Sequence, residues 1–293
     1  MKDLIELLRY VVTHPLNKQQ PSAAVLRVLK WQIGARLLPD GAVLPFVGNT
    51  HLLVKRGMAG ATGNWYCGLH EVEEMAFVLH ALSPGELFVD VGSNIGSYSI
   101  LAAGAAGAEV VAVEPVPSTF EALKQNVRLN LLDDRVKCLN VGLGYETGEL
   151  RFSSGEDTTN HVLVDGEKKA SVVVPVITLD AVCAERLPAI IKVDVEGFEH
   201  AVVEGGRDVL ADAAVKAVIM ETNSSGQRYG WRDEDLIALM RDFGFATCSY
   251  EPMRRRLEVA KTGSENTVFV RNVAEMQSRI SKAPRFQLVN GTI

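Results

Sequence analysis

The chain has 293 residues, 47% of them hydrophobic, with a net charge of −6. That suits one substantial globular domain with an appendage and needs no disulfide or metal staple. The acidic balance gives no electrostatic reason to expect nucleic-acid binding, although Arg254–Arg256 form a local basic patch. The cysteines Cys67, Cys138, Cys183 and Cys248 form no C-x-x-C pair, and the histidines form no H-E-x-x-H pair. A zinc or redox motif is therefore not expected, and a reduced, cytoplasmic setting is the simplest reading.

In chain order, residues 1–80 read as a helical and extended lead-in, 81–272 as the main domain, and 273–293 as a polar, loosely attached tail. Leu4, Leu7, Leu8 and Val11 recur at helical spacing, which predicts an amphipathic N-terminal helix. Charges at Lys2, Asp3, Glu6 and Arg9 interrupt any signal-peptide core, and no run is long enough for a transmembrane segment. The apolar stripe is expected to pack on its own domain or to form a homodimer; contact with a membrane surface is the lesser alternative. Residues 1–38 predict two helices broken at His14–Pro15 and Pro21, and Ala42–Val47 and His51–Lys55 predict two short extended runs. The Gly-rich stretch Gly57–Gly68 reads as an ordered loop, and Glu71–Leu82 as a helix.

Strand and helix then alternate. Leu87–Val91, Val110–Val113 and Val136–Val141 are apolar strands, separated by helices over Ser97–Ala106 and Ser118–Leu131. In the second helix Ser118 is a candidate N-cap, and Phe120, Leu123, Val127 and Leu131 are expected to face inward. Leu150–Phe152, His161–Val164 and Ser171–Val176 read as extended, with Asp165–Gly166 as a hairpin turn between the last two. After a short helix over Leu179–Arg186, strands at Ile190–Val195, Val215–Met220 and Thr267–Val270 alternate with helices reaching Leu210 and covering Glu234–Phe243. Continuous apolar strands between helices imply an α/β fold: a doubly wound, mostly parallel Rossmann-like sheet with an inserted β-hairpin.

The segment Asp90-Val91-Gly92-Ser93-Asn94-Ile95-Gly96-Ser97 joins a buried strand to a helix through a Gly-bearing turn. Ligands of open α/β sheets sit beyond such strand ends. A dinucleotide fingerprint needs G-x-G-x-x-G, whereas this spacing is G-x-x-x-G. Asp90 would also repel a pyrophosphate but suit a cationic amino group. Spacing and charge thus favour S-adenosylmethionine over a nicotinamide cofactor, with Gly92 allowing the tight turn and Gly96 allowing close helix packing. Glu114 ends the next strand, placed to accept bonds from both hydroxyls of a ribose.

Taken with Glu114-Pro115-Val116-Pro117, Asn126, Leu129–Asn130, Thr178-Leu179-Asp180 and Ile191-Lys192-Val193-Asp194-Val195-Glu196-Gly197, this turn resembles the FkbM family of methyltransferases. The resemblance covers about residues 80–222, and the lead-in from Gly63 through Glu74 is similar to a subset of the family. Ser93 departs from the alanine more usual there. The resemblance implies a class I methyltransferase fold that uses S-adenosylmethionine, with O-methylation of a sugar, glycan or polyketide-like natural product. It also implies cofactor contacts at Asp90, Gly92, Ser93, Asn94, Gly96, Ser97, Glu114, Pro115 and Asp194.

The catalytic candidates follow from the residues themselves. Asp194 and Glu196 stand two apart at a strand end, so they are expected on one face as a base, an acceptor-orienting pair, or ligands for a divalent ion such as Mg²⁺. A salt bridge between Lys192 and Asp194 is the purely structural alternative. Glu221, at the end of the following strand, is a further candidate, and His161 is a possible general base because its ordinary pKa lies near neutrality. Trp65 and Tyr66 either stack on a sugar or pack in the core. N-methylation of a peptide or small molecule, an oxidoreductase on a similar sheet, and a non-catalytic binding module are the competing readings.

Overall fold

Strands buried on both faces must lie inside a sheet covered on both sides, and Leu87–Val91 and Ile190–Val193 are buried at every position. A computed structural model of the chain, which describes residues 2–155, 160–164, 166–260, 263 and 266–293, shows that sheet. The lead-in comprises α1 (Lys2–Thr13), α2 (Pro21–Leu37), β1 (Ala42–Pro45), β2 (His51–Val54), α3 (Ala59–Cys67) and α4 (Val72–Ala81). Then come β3 (Leu87–Val91), α5 (Ser97–Ile100), β4 (Glu109–Val113), α6 (Pro117–Leu129), β5 (Val136–Leu139), β6 (Gly142–Leu143), β7 (Gly148–Ser153) and β8 (Ser171–Ile177). The second half contains α7 (Leu179–Val182), β9 (Ile190–Val193), α8 (Glu199–Glu204), α9 (Arg207–Ala211), β10 (Ala217–Glu221) and α10 (Asp233–Asp242). It closes with β11 (Ala246–Glu251), β12 (Arg256–Val259), β13 (Asn266–Val270), α11 (Val273–Lys282), β14 (Gln287–Leu288) and β15 (Gly291–Thr292). Among the described residues no helix is long and apolar enough to cross a membrane.

The main sheet runs β12-β11-β13-β10-β9-β3-β4-β5. Strands β10, β9, β3, β4 and β5 are parallel, and β13, β11 and β12 add antiparallel pairings. From β3 the chain winds outward through β4 and β5, then crosses back to β9 on the other side of β3. The order reverses between β3 and β9, which opens a crevice at their carboxyl ends.

Several family-like residues turn out to be structural. Asn126 accepts the Leu53 N–H and donates to the Ile95 carbonyl, while Asn130 accepts from and donates to the His51 backbone. Two amide side chains, one on α6 and one at its C-cap, thus pair with the edge of β2 and tie the lead-in to the Gly-bearing turn. Thr178 caps α7, and the Asp180 carboxylate accepts the Asp208 and Val209 N–H groups at the start of α9.

Four expectations change. Gly57–Gly68 contains helix α3 rather than a loop, because its C-terminal carbonyls are satisfied from outside: Arg27 donates to Tyr66 O and Asn290 to Cys67 O. The tail is docked, with α11 in place and Phe286, Leu288 and Ile293 buried. The N-cap position of α6 falls on Val116 with Pro117 at its first turn, so Ser118 does not cap, and Leu131 lies past the helix at 88% exposure. The inserted hairpin pairs β7 with β8, and the 161–164 segment bridges the other edge of β7 through Phe152 and Val162. Asp165 of the expected turn lies outside the described residues.

Glu86 holds the start of β3 to the C-terminal helix. It accepts from Arg279, Lys216 Nζ and the Ser83 N–H. Burial alone would raise its pKa, but these hydrogen bonds prevail and lower it to about 2. A depressed carboxylate stabilises the fold above its ordinary range and loses that contribution as pH falls through the folded value. Glu86→Gln should therefore lower unfolding stability by about 2 kcal/mol at neutral pH, allowing for partial exposure. The gap between variant and wild type should close as pH falls from about 4.5 to about 2. Urea denaturation across that range measures it; a gap independent of pH would exclude the carboxylate as its source.

Candidate functional site

At the end of β3 the chain turns so tightly that Gly92 adopts φ +77°, with its N–H and that of Ser93 both donating to Val113 O. A Cβ on Gly92 would lie 1.8 Å from the carbonyl oxygen of Asp194. Glycine is required there because the chain leaving β9 presses against the turn at the switch point, not only because a ligand approaches. Gly96 packs on Leu123, as close helix packing requires, and is not among the residues that line the cavity. Ser93 Oγ donates to Asp90 O at 2.6 Å, and Ser97 Oγ accepts from Asn64 Nδ2 at 3.3 Å.

Asp90, Gly92, Ser93, Asn94, Ser97, Glu114, Pro115 and Asp194 line one cavity of about 260 Å³, and Glu196 and Glu221 share it. Asp90 is 1% exposed; its Oδ2 accepts from Ser99 Oγ, while Oδ1 has no hydrogen-bond partner among the described residues. Burial pushes the Asp90 carboxyl above its usual range, opposed by Lys192 and Ser99. Glu114 accepts the Asn94 N–H on Oε2 and the Val116 N–H on Oε1, which leaves each oxygen a lone pair. Burial raises Glu114 to about 7 against those two bonds.

One buried cation balances this wall. Lys192 Nζ lies 2.5 Å from Asp194 Oδ2 and 4.5 Å from the centre of the Tyr98 ring. Burial alone would lower its pKa, but Asp194, Glu71 and Asp90 hold it above its ordinary range. The Tyr98 hydroxyl in turn donates to Glu71. The structural salt bridge is therefore present, and Asp194 also faces the cavity.

Strand β9 ends at Val193, so Asp194 and Glu196 do not share a face through strand alternation as expected. A loop gathers them instead. Glu196 sits at φ +55°, an uncommon conformation for a non-glycine residue, and Gly197 follows at φ +101°. The buried Glu199 holds the loop by accepting the Val195 and Gly197 N–H groups. Carboxylate oxygens of Asp194, Glu196 and Glu221 consequently lie within 4.8 Å of one another. Burial, then Asp194, raises Glu196 to about 7; burial and the neighbouring carboxylates push Glu221 up further still.

His161 is corrected. It is 2% exposed and does not line the cavity; its backbone pairs with Ser153, and its Nε2 lies 3.5 Å from Glu167. Its neighbour Asn160 reaches the cavity instead, with Phe152 of β7. Trp65 and Tyr66 also miss it: Trp65 Nε1 donates to Arg27 O, and Tyr66 is buried. Sequence reasoning missed Asn64, His70, Glu71 and Tyr98, which also line the cavity. A signal existed for three of them, since Asn64, His70 and Glu71 lie in the Gly63–Glu74 stretch that is similar to a subset of the family; Tyr98, on α5, carries no spacing that points to a site.

Comparison with known proteins agrees with this geometry. The model of the methyltransferase FkbM domain matches residues 90–247, more than half of the chain. The hexuronic acid methyltransferase AglP of Haloferax volcanii is 29% identical over 162 residues, covering 53% of this chain and 63% of that protein. A tRNA(Phe) (4-demethylwyosine(37)-C(7)) aminocarboxypropyltransferase of Pyrococcus horikoshii is 36% identical over 93 residues, covering 32% of this chain and 31% of that protein. The chain thus spans less than two thirds of the length of either relative. Among solved structures, the C-terminal domain of precorrin-6Y C5,15-methyltransferase from Rhodobacter capsulatus is 16% identical with a TM-score of 0.37, covering 67% of this chain and 86% of that one. The match, which runs from the end of β3 through the acidic strand ends and past β10, shows that the chain belongs to the FkbM-domain methyltransferase family.

Proposed function

We propose that this protein is an S-adenosylmethionine-dependent methyltransferase that O-methylates a hydroxyl of a sugar, glycan or polyketide-like natural product. The observation that carries the reading is the buried Asp90, which lines the cavity together with the ribose-competent Glu114 and whose Oδ1 has no hydrogen-bond partner among the described residues. An unpartnered buried carboxylate is costly unless a cationic or hydrogen-bonding ligand meets it. The amino group of S-adenosylmethionine suits Asp90, its ribose suits Glu114, and the acidic wall as a whole suits a sulfonium. A pyrophosphate would meet the same carboxylates with repulsion, which speaks against a nicotinamide cofactor.

When bound, S-adenosylmethionine supplies an already activated methyl group. The protein's share is then positioning, exclusion of water and removal of the acceptor proton. Glu196, with a pKa near neutrality, is the group best matched to accept that proton from a hydroxyl, and Asp194 and Glu221 orient the acceptor beside it. The similarity to a hexuronic acid methyltransferase supports a sugar acceptor. An amine acceptor would need less of this base assistance, so the carboxylate cluster favours oxygen. Residues 61–293 hold 33 Asp and Glu against 22 Lys and Arg, which disfavours a polyanionic nucleic acid.

A second reading keeps the same three carboxylates as ligands of a divalent cation such as Mg²⁺. The observation favouring it is their oxygens' mutual approach within 4.8 Å, a donor set that hard cations prefer. Chelation with EDTA distinguishes the two: turnover lost and restored by Mg²⁺ selects the cation, and turnover unaffected selects the base alone.

Calorimetric titration should show S-adenosylmethionine and S-adenosylhomocysteine binding, with NAD inert. Glu114→Ala should weaken the affinity about tenfold or more, as expected for lost charge-assisted bonds. Because Glu114 accepts best when ionised, affinity in the wild type should fall as pH drops through about 7, and Glu114→Gln should flatten that dependence. Binding of NAD alone would overturn the cofactor assignment. Glu196→Gln should lower transfer of labelled methyl to hexose and hexuronic acid glycosides by about 10²-fold or more while cofactor affinity stays unchanged. Wild-type turnover in that variant would reject Glu196 as the base.

A further inference from the structure

Helix α2 is apolar on two opposite faces, and only one of them is covered. Ala24, Arg27, Val28 and Trp31 are buried against the protein. On the other side Leu26, Leu29, Ile33 and Leu37 are 50%, 46%, 63% and 73% exposed. At 3.6 residues per turn these four fall within an arc of about 80° and make a continuous stripe along the helix. Lys30 projects along one border of that arc and Arg36 along the other, both exposed. Leu38 and Val43, just beyond the helix, and Leu4 and Ile5 of the adjoining α1 are exposed as well.

The charge of this region is opposite to that of the rest. Residues 1–60 carry eight Lys and Arg against three Asp and Glu, in a protein whose overall charge is −6. An apolar stripe bordered by long cationic side chains has the form of an interfacial helix: the leucines enter the acyl boundary, and the Lys and Arg stems run along the apolar surface to place their charges among phosphates. A second copy of the chain would set one basic face against another, whereas an anionic lipid surface complements it.

We propose that the exposed face of α2 docks the protein on the surface of an anionic lipid bilayer, without insertion across it. This inference stands apart from the methyl-transfer reading, since none of the stripe residues lines the cofactor cavity. Docking of this kind would hold the enzyme where amphiphilic acceptors are concentrated.

Co-sedimentation of the full chain with vesicles tests it, using phosphatidylcholine alone and phosphatidylcholine mixed equally with phosphatidylglycerol. The wild type should pellet with the mixed vesicles, remain in solution with the neutral ones, and be released by high salt. Leu29→Glu with Ile33→Glu, and separately Lys30→Glu with Arg36→Glu, should each lower partitioning about tenfold or more. Both pairs are exposed, so thermal midpoint and S-adenosylmethionine affinity should match the wild type and separate lost docking from lost folding. A wild type that ignores both vesicles, binds them equally, or pellets as strongly when mutated overturns the proposal. So does a dimer by light scattering that becomes monomeric in Leu29→Glu with Ile33→Glu, because the face would then belong to a second copy.

Discussion

A single buried ammonium organises the site. Lys192 sits 2.5 Å from Asp194 and above the ring of Tyr98, in a wall that also contains Asp90, Glu71, Glu196 and Glu221. It offsets part of the repulsion among carboxylates whose pKa values burial and one another's charge push up. Three of these groups are also oriented by a partner: Asp90 by Ser99, Glu71 by Tyr98, Asp194 by Lys192 itself. The lysine belongs to β9, Tyr98 to α5 and Glu71 to the lead-in, so one cation links three otherwise separate parts of the chain.

That arrangement depends on the switch point. The carbonyl of Asp194 occupies the space where a side chain on Gly92 would be, so the turn after β3 and the loop after β9 can exist only together. Asn126 extends the coupling, joining the turn at Ile95 to the edge of β2. The Gly-bearing turn is therefore braced on both sides, by the Asp194 carbonyl and by the Asn126 amide, which is the pre-organisation that the proposed methyl-donor site needs.

Where a residue's placement is set locally, the sequence displayed it. The apolar run ending in Asp90, the turn through Gly96 and the acid at Glu114 are adjacent along the chain, and their meaning follows from strand burial and turn chemistry. Asp194, Glu196 and Glu221 were also legible as strand-end acids, although a left-handed Glu196 rather than strand alternation brings them together. His161 was misread because a polar residue at a strand start gives no indication of which side it faces; pairing with Ser153 turned it inward, away from the cavity. Lys192 read as a salt-bridge partner, but its stacking on Tyr98 spans 94 residues of sequence and leaves no periodic trace. The C-terminal segment escaped for a similar reason: Phe286, Leu288 and Ile293 are too sparse to form a pattern, yet all three are buried.

Helix α3 supplies one side of the cavity through Ala59, Gly60, Ala61 and Asn64, and it is a poor helix by its own composition. Glycines at positions 60 and 63 each cost a helix about 1 kcal/mol relative to alanine, and at Gly63 a Cβ would stand 2.4 Å from the His70 ring, so alanine cannot be substituted there to recover that cost. Its stability is borrowed from Arg27 and Asn290, which satisfy its last carbonyls from distant parts of the chain. Its N-terminal turn is the weaker end, because Met58 at the N-cap position makes no side-chain capping bond to the helix. Its amides should thus exchange with solvent through excursions far smaller than global unfolding, and the cavity's most economical entrance is a transient melting of its own wall rather than a hinge between rigid bodies.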